Sequence, residues 1–309
     1  MTRVAAIDCG TNSIRLLIAD VDPQLGTVVD VMRLMETVRL GEGVDRSGEF
    51  SQAALGRTFA ACETYAAHVA EAGATSLRFV ATSASRDVSN RAEFVDGVRA
   101  RLGIEPEVIT GDEEAALSFA GAVRSLGQDI GFGQALVVDI GGGSTEFVRG
   151  TVAAGVAAAR SVDIGCVRMT ERHLVADPPT AEQIDATIAD VDAAIALADS
   201  DVDLAASQTL VGLAGSVTTV AALALGLPEY DSEAIHGSRI SRADVDGVTD
   251  RLLTMSRVDR SQLAVMHPGR VDVIGGGALI LSRIMAAGQF DEVLVSEHDI
   301  LDGIARSIA

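Results

Sequence analysis

A short motif occurs twice in the chain, and this repeat constrains the fold more than any other feature of the sequence. The first copy reads Val4-Ala-Ala-Ile-Asp-Cys-Gly-Thr-Asn-Ser13, and the second reads Leu136-Val-Val-Asp-Ile-Gly-Gly-Gly-Ser144. They align without a gap at an offset of 131 positions. Each copy is an apolar strand-like segment that ends in an aspartate and leads through a turn of small residues into a second apolar segment. Two such copies predict two related half-domains, which the length of 309 residues also favours.

The turns of the repeat suit the binding of phosphate. Successive outward N–H groups form a nest for phosphate oxygens without any cationic side chain, while an aspartate at the strand end can hold Mg²⁺. The candidate phosphate-binding residues are Gly10, Thr11, Asn12 and Ser13 in the first turn, and Gly141, Gly142, Gly143, Ser144 and Thr145 in the second. Either copy alone is also typical of a tight β-hairpin. The pattern Asp-x-Gly-x-x-Ser in both copies favours the phosphate interpretation.

The charge of the chain excludes several classes of function. All 24 basic residues are arginine, so a P-loop lysine, a pyridoxal Schiff base and the strand lysine of protein kinases are impossible. A net charge of -20 argues against nucleic acid and anionic membranes as partners. Three scattered cysteines without C-x-x-C spacing predict neither a disulfide framework nor a zinc site. The N-terminus also lacks a signal-peptide pattern, so we expect a cytoplasmic protein.

The remaining sequence alternates between strand and helix patterns, which predicts an α/β fold. Ser51 is expected to cap a long amphipathic helix, and a glycine-rich break at 127–133 separates two α/β series. The uncharged stretch 204–228 is long enough to cross a bilayer. Polar residues and two glycines interrupt it, so a strand, a glycine turn and a buried helix are the better interpretation.

Gly215 and Ser216 begin this helix, whose N-terminus could face a further phosphate.

These features together resemble the exopolyphosphatase and guanosine-pentaphosphate phosphatase family, within the actin, sugar-kinase and Hsp70 superfamily. Besides the two turns, the resemblance rests on the segments Val80-Ala-Thr-Ser-Ala-Ser-Arg86, Ile109-Thr-Gly-Asp-Glu-Glu-Ala115, Asp163-Ile-Gly-Cys-Val-Arg168, Leu213-Ala-Gly-Ser-Val-Thr-Thr219, Val273-Ile-Gly-Gly-Gly-Ala-Leu-Ile280 and Ser296-Glu-His-Asp-Ile-Leu-Asp-Gly303. It covers nearly the whole chain, and it is closest to a short two-domain form because longer relatives carry further C-terminal helical domains.

The resemblance implies two actin-like, ribonuclease H-like domains that face each other across an interdomain cleft. Residues 1–127 would form the first domain and residues 128–297 the second. The C-terminal helix, at about 298–309, would pack back on the first domain. The family also implies a homodimer, a divalent cofactor such as Mg²⁺ or Mn²⁺, and room for a monovalent cation such as K⁺.

Glu114 is the candidate catalytic residue. Hydrolysis of a phosphoanhydride needs a terminal phosphoryl group whose charge is neutralised and a water molecule in line with the leaving oxygen. Among the acids 112–114, the resemblance assigns the catalytic role to the glutamate directly before the alanine. From the residues alone, acids at this position are also explained by the favourable helix dipole.

Asp139 and Glu146 are the candidate Mg²⁺ ligands, and Asp8 could join them. Arg86 would clamp a phosphate bidentately, as the family match indicates. Two alternatives stay open: Glu146 could be an ordinary exposed strand residue, and Arg86 a solvated surface charge.

We therefore expect an exopolyphosphatase that releases terminal orthophosphate from inorganic polyphosphate by direct attack of water. The alternative is a guanosine pentaphosphate 5′-phosphohydrolase that converts pppGpp to ppGpp in the same site. An actin-like ATPase or kinase and a non-catalytic sensor of guanosine alarmones are further alternatives. Because the chain is strongly acidic, we expect it to prefer short polyphosphates.

Overall fold

The computed structural model describes residues 1–86 and 88–309, which divide into two compact units. Unit 1 consists of Met1–Gly121 and Ile300–Ala309, and unit 2 consists of Ala122–Asp299. The predicted boundary between residues 127 and 128 lies a few residues beyond this division.

The elements of the described chain alternate between strands and helices. The strands are β1 (Thr2–Cys9), β2 (Ser13–Val21), β3 (Val28–Thr37), β4 (Ser76–Ala81), β5 (Glu107–Val108), β6 (Ala135–Ile140), β7 (Thr145–Thr151), β8 (Gly155–Val162), β9 (Thr209–Leu213), β10 (Arg239–Ser241) and β11 (Glu292–Val295). The helices are α1 (Val44–Ser47), α2 (Gln52–Ala72), α3 (Arg91–Leu102), α4 (Gly111–Ser125), α5 (Gly127–Ile130), α6 (Cys166–Arg172), α7 (Ala181–Val202), α8 (Ala214–Ala224), α9 (Ser232–Ile235), α10 (Arg242–Thr254), α11 (Arg257–Ser261), α12 (Ile274–Ala287) and α13 (Ile300–Ser307). Short 3₁₀ turns occur at Ser83–Ser85, Leu204–Ala206 and Pro268–Arg270.

Each unit contains one sheet that combines three antiparallel strands with parallel ones. In unit 1 the order is β3-β2-β1-β4-β5, where β4 continues the sheet parallel to β1 and β5 parallel to β4. In unit 2 the order is β10-β11-β9-β6-β7-β8, where β9 is parallel to β6, β11 is parallel to β9, and β10 is an antiparallel edge. The strands β8-β7-β6-β9-β11 repeat the order of unit 1. Both units therefore have the predicted actin-like, ribonuclease H-like arrangement.

The repeated motif forms the same turn in both units. The N–H of Gly10 donates to the carbonyl oxygen of Ser13 at 2.9 Å, and the N–H of Gly141 donates to that of Ser144 at 3.0 Å. Each turn joins the central strand of its sheet to the next antiparallel strand. The conformation therefore follows from the local sequence, since it recurs in two separate sheets.

Two further local predictions are confirmed. Ser51 caps α2, because its Oγ accepts a hydrogen bond from the N–H of Ala54 at 3.2 Å. The uncharged stretch 204–228 forms the strand β9 and the helix α8. Within the described residues, no helix is both long enough and apolar enough to cross a membrane.

Six short elements are not among the segments predicted from the sequence: α1, α5, α6, α9, β10 and α11. Of these, α5 lies within the expected break at 127–133. The three-residue β10 is set by pairing with β11, and α6 begins with N–H groups that donate to the carbonyl oxygens of Gly141 and Gly142. Contacts between distant segments, rather than local propensity, determine these two elements.

The C-terminal helix α13 packs within unit 1. Its apolar side chains lie in a buried cluster with residues of β1, β2 and β4. Asp302 is fully buried in the first turn of α13, where its Oδ1 lies 3.0 Å from Nη2 of Arg33 on β3. This helix is therefore held to the sheet of unit 1 by apolar packing and by an ion pair.

Candidate active site

The carboxyl ends of β1, β4 and β5 meet at one edge of the sheet in unit 1, because these strands run parallel. The turn 10–13 follows β1, Arg86 follows β4 after a 3₁₀ turn, and Glu114 lies in the first turn of α4 after β5. Three segments that are far apart in the sequence are thus brought to the same edge.

Glu114 is a buried carboxylate at the N-terminus of α4. The helix is capped by Thr110, whose Oγ1 accepts a hydrogen bond from the N–H of Glu113 at 3.2 Å. Only 8% of Glu114 is exposed, and its Oε2 lies 3.1 Å from Nη2 of Arg86. The guanidinium compensates the charge of the buried carboxylate. Arg86 is therefore beside Glu114 rather than a solvated surface charge.

The neighbouring Glu113 has a different environment. Its side chain is 45% exposed, and its Oε1 lies 2.7 Å from Nη2 of Arg78 on β4. Of these two adjacent glutamates, Glu114 is the buried one that contacts a predicted phosphate-binding residue.

The first turn is held by the segment 39–41. The N–H groups of Arg39 and Gly41 donate to the carbonyl oxygens of Asn12 and Thr11, both at 2.8 Å. Arg39 has a φ of 50°, which is in the left-handed region that few residues other than glycine adopt. Among the described residues, the buried Oγ1 of Thr11 has no hydrogen-bond partner. A buried hydroxyl of this kind suits a turn that takes up a phosphate oxygen.

Asp8, at the end of β1, forms an ion pair across the sheet. Its register partner on β2 is Arg15, whose Nε and Nη2 donate to Asp8 Oδ2 at 3.0 and 2.7 Å. The positive charge of Arg15 compensates the carboxylate that the sequence suggests as a metal ligand. The role of Asp8 in metal binding stays a prediction.

The corresponding position in unit 2 carries two carboxylates. Asp139 on β6 is the register partner of Glu146 on β7, so their side chains project from the same face of the sheet. Both are buried, at 8% and 1% exposure, and Ser161 Oγ donates to Glu146 Oε1 at 2.7 Å. Glu146 is therefore no exposed strand residue. Glu146 occupies the position of the repeat that corresponds to Arg15 in unit 1.

This pair has the chemistry that Mg²⁺ requires. Mg²⁺ is bound in proteins by one or two carboxylates and completes its shell with water and substrate phosphates. Asp139 and Glu146 supply two such carboxylates at one position. No group of three or more histidine, cysteine, aspartate or glutamate side chains suited to a metal occurs in the part of the chain that the structure describes.

The second turn is braced by the start of α6. The N–H of Cys166 donates to the carbonyl oxygen of Gly141 at 3.0 Å, and Arg168 Nε donates to that of Gly143 at 2.7 Å. A Cβ atom at Gly165 would lie 2.6 Å from the backbone nitrogen of Gly143, so a side chain there would displace the turn. Thr145 Oγ1 donates to the carbonyl oxygen of Ile164 at 2.7 Å, so this hydroxyl proton is already used.

The N-terminus of α8 lies at the same edge of unit 2, because Leu213 is the register partner of Asp139. Ala214 begins this helix with a φ of 68°. A Cβ atom at Gly215 would overlap the guanidinium of Arg270, and Arg270 Nη1 donates to Thr219 Oγ1 at 3.2 Å. An arginine therefore lies against the first turn of the helix that contains Ser216.

Several residues of this arrangement carry no role in the sequence prediction: Arg15, Ser161, Gly165 and Arg270. Arg15 could have been identified, since it aligns with Glu146 at the repeat offset. Gly165 lies in a segment that supports the family resemblance, without an assigned role. Ser161 and Arg270 have no comparable signal, because only the fold brings them beside Glu146 and Gly215.

Known proteins are similar to this chain in sequence and in fold over most or all of its length. A model of the Ppx/GppA phosphatase family matches residues 17–308. The chain is 50% identical over 321 residues to Exopolyphosphatase 2 of Mycobacterium tuberculosis, covering 100% of this chain and 99% of that protein. It is 29% identical over 289 residues to a guanosine-5′-triphosphate,3′-diphosphate pyrophosphatase of Photobacterium profundum, covering 89% of this chain and 57% of that protein. A crystal structure of an exopolyphosphatase-like protein has a TM-score of 0.95 at 46% identity, covering 99% of this chain and 97% of the other.

Proposed function

The chain belongs to the Ppx/GppA phosphatase family and is a phosphoanhydride hydrolase, and on this premise we propose that it releases terminal orthophosphate from inorganic polyphosphate. The observation that carries this substrate is the 50% identity to Exopolyphosphatase 2 over the full length of both proteins. The location of Glu114 and Arg86 at one sheet edge supports the same chemistry.

Glu114 is the residue that we assign to the attacking water. Its carboxylate accepts the water proton as the oxygen forms a bond to the terminal phosphorus, and the bond to the bridging oxygen breaks. The bridging oxygen leaves with the remaining phosphate chain. Because Glu114 is buried, little bulk water reaches its carboxylate. Arg86 lies next to this carboxylate, where its guanidinium can bind the oxygens of the terminal phosphoryl group.

We assign the divalent cofactor, Mg²⁺ or Mn²⁺, to Asp139 and Glu146. When bound, such an ion neutralises phosphate charge and so favours attack by water. Ser161 holds one oxygen of Glu146 in place, which orients this carboxylate. The turns 10–13 and 141–144 would bind the phosphates through their N–H groups, as in other phosphate nests.

The alternative substrate is guanosine pentaphosphate. It is favoured by the similarity to the Photobacterium pyrophosphatase, which acts on a phosphorylated guanosine by its name. A single assay decides: phosphate release is measured with polyphosphate, guanosine pentaphosphate and ATP at equal concentrations of terminal phosphate. We expect release from polyphosphate to be fastest. Faster release from pentaphosphate would replace the proposed substrate, and no release from either would contradict hydrolysis altogether.

We expect short polyphosphates to be better substrates than long ones. The net charge of -20 repels a long polyanion, and most arginines already form ion pairs with carboxylates. The affinity for polyphosphate should therefore stop rising with chain length once the few phosphates that contact the turns are bound. Rates are compared across chain lengths at equal concentrations of chain ends and at two salt concentrations, since screening should narrow the difference. Processive digestion of long chains without intermediate lengths would contradict this expectation.

We also propose that the chain forms a homodimer. Several apolar side chains are exposed on unit 2, among them Phe132, Val152 and Val156. Where such side chains form one contiguous patch, they mark an association site, and the family resemblance also implies a homodimer. Light scattering at micromolar concentration should give twice the mass of one chain, and the mass of a single chain would refute the dimer.

A further inference from the structure

The helix α13 contacts α4 one turn after Glu114. Gly303 is buried in α13 and faces the backbone of Leu117, which lies three residues after Glu114. A Cβ atom at position 303 would overlap the carbonyl oxygen of Leu117 and lie 2.8 Å from its carbonyl carbon. Since Cβ atoms do not approach other heavy atoms below 3.0 Å, only glycine permits this contact.

Two polar links join the same helices. Arg306 Nη1 donates to the carbonyl oxygens of Ala120 and Gly121, at 3.1 and 3.3 Å. Arg78 donates to Ser307 Oγ at 2.9 Å and also pairs with Glu113, the neighbour of Glu114, at 2.7 Å. α13 is thus linked to α4 at its first turn, its middle and its later turns.

The helix α13 is itself firmly held. Its buried apolar side chains pack against β1, β2 and β4, and its buried Asp302 pairs with Arg33. A side chain added at this contact would therefore displace α4 as much as α13. Interiors of proteins are close-packed, so such a displacement is transmitted along a rigid helix rather than absorbed.

We propose that Gly303 is a positioning residue for catalysis: by allowing α13 to contact the backbone of α4, it sets the location of the Glu114 carboxylate. This inference rests on the proposed role of Glu114 as the group that handles the attacking water. Relief of the overlap in a Gly303→Ala variant requires a shift on the order of 1 Å, and a misplacement of that size can lower a rate by roughly 100-fold.

The test compares Gly303→Ala with a glycine variant elsewhere in unit 1. A Cβ atom at Gly97 on α3 would overlap the ring of Phe59, which is a side chain and is not part of the site. Both variants should lose thermal stability. We expect kcat for phosphate release from polyphosphate to fall by roughly 10- to 100-fold in Gly303→Ala, with KM little changed, and to stay near wild type in Gly97→Ala.

A double variant shows whether Gly303 acts through Glu114. The combination of Glu114→Gln and Gly303→Ala should be no slower than Glu114→Gln alone, because the group to be positioned is already lost. Independent, multiplicative losses would overturn the inference. If Gly303→Ala fails to fold, a second variant tests the inference. Arg306→Met removes the hydrogen bonds from Arg306 to the carbonyl oxygens of Ala120 and Gly121 and should lower kcat by several-fold at unchanged KM.

The outcomes separate this inference from the proposed function. Wild-type activity in Glu114→Gln would refute the role of Glu114 itself. An inactive Glu114→Gln together with a wild-type kcat in Gly303→Ala and Arg306→Met would refute the positioning role of α13 alone.

Discussion

Glu114→Gln is expected to lower kcat by roughly 10²–10⁴-fold while substrate affinity changes little. The amide keeps the size of the side chain, but it cannot accept the proton of the attacking water. Glu114 is buried beside Arg86, so solvent cannot readily supply a substitute base. Phosphate release measured under saturating polyphosphate gives kcat, and binding of polyphosphate measured separately checks that affinity is retained.

The adjacent glutamate is the matched control. Glu113 is half-exposed and pairs with Arg78 at 2.7 Å, so Glu113→Gln weakens one surface ion pair among several contacts between α4 and α13, and it keeps the Glu114 carboxylate. We expect its kcat to stay within a few-fold of wild type. If Glu113→Gln is instead the more damaging variant, the family glutamate has been aligned to the wrong position.

Asp139→Asn is expected to raise the Mg²⁺ concentration needed for half-maximal activity by roughly 10-fold or more. A neutral amide oxygen is a poorer ligand for a hard divalent cation than a carboxylate. The variant would leave Glu146 as the single carboxylate of a buried pair. A titration of phosphate release with Mg²⁺ measures the shift, and Mn²⁺ can be titrated in the same way.

An exposed carboxylate in unit 2 serves as the control for charge alone. Asp163 is 83% exposed and lies 3.7 Å from Arg168, so Asp163→Asn should leave the Mg²⁺ titration unchanged. An unchanged Mg²⁺ titration in Asp139→Asn would show that Asp139 is not a metal ligand. Asp8→Asn in the same series decides whether the carboxylate that pairs with Arg15 contributes to metal binding.

The presence of two α/β units could be predicted because the sequence patterns that indicate them are local. The two Asp-x-Gly-x-x-Ser turns form equivalent hydrogen bonds, and Ser51 caps α2 as expected. The polar residues and the two glycines that interrupt the uncharged stretch likewise predict β9 and α8. In contrast, the short β10 and α6 depend on pairing with segments distant in the chain, and their sequences contain no strong signal.

The candidate site could be predicted by residue type but not by environment. Glu113 and Glu114 are identical and adjacent, and only the packing of α4 buries the second beside Arg86 while the first reaches Arg78. In the same way, the repeat predicts two equivalent aspartates. The structure distinguishes them, since Asp8 faces Arg15 and Asp139 faces Glu146.

The amino-acid sequence by itself determined the repeated strand and turn, the Ser51 cap of α2 and the alternation of α and β segments in this protein. Hydrogen bonds and apolar periodicity within a few residues are enough to specify them. Only the tertiary structure decided the burial of Glu114 beside Arg86, the close approach of Gly165 to the second turn and the contact of Gly303 with α4. These features depend on which segments, far apart along the chain, pack side by side, and such packing is a property of the whole fold rather than of any short stretch of sequence.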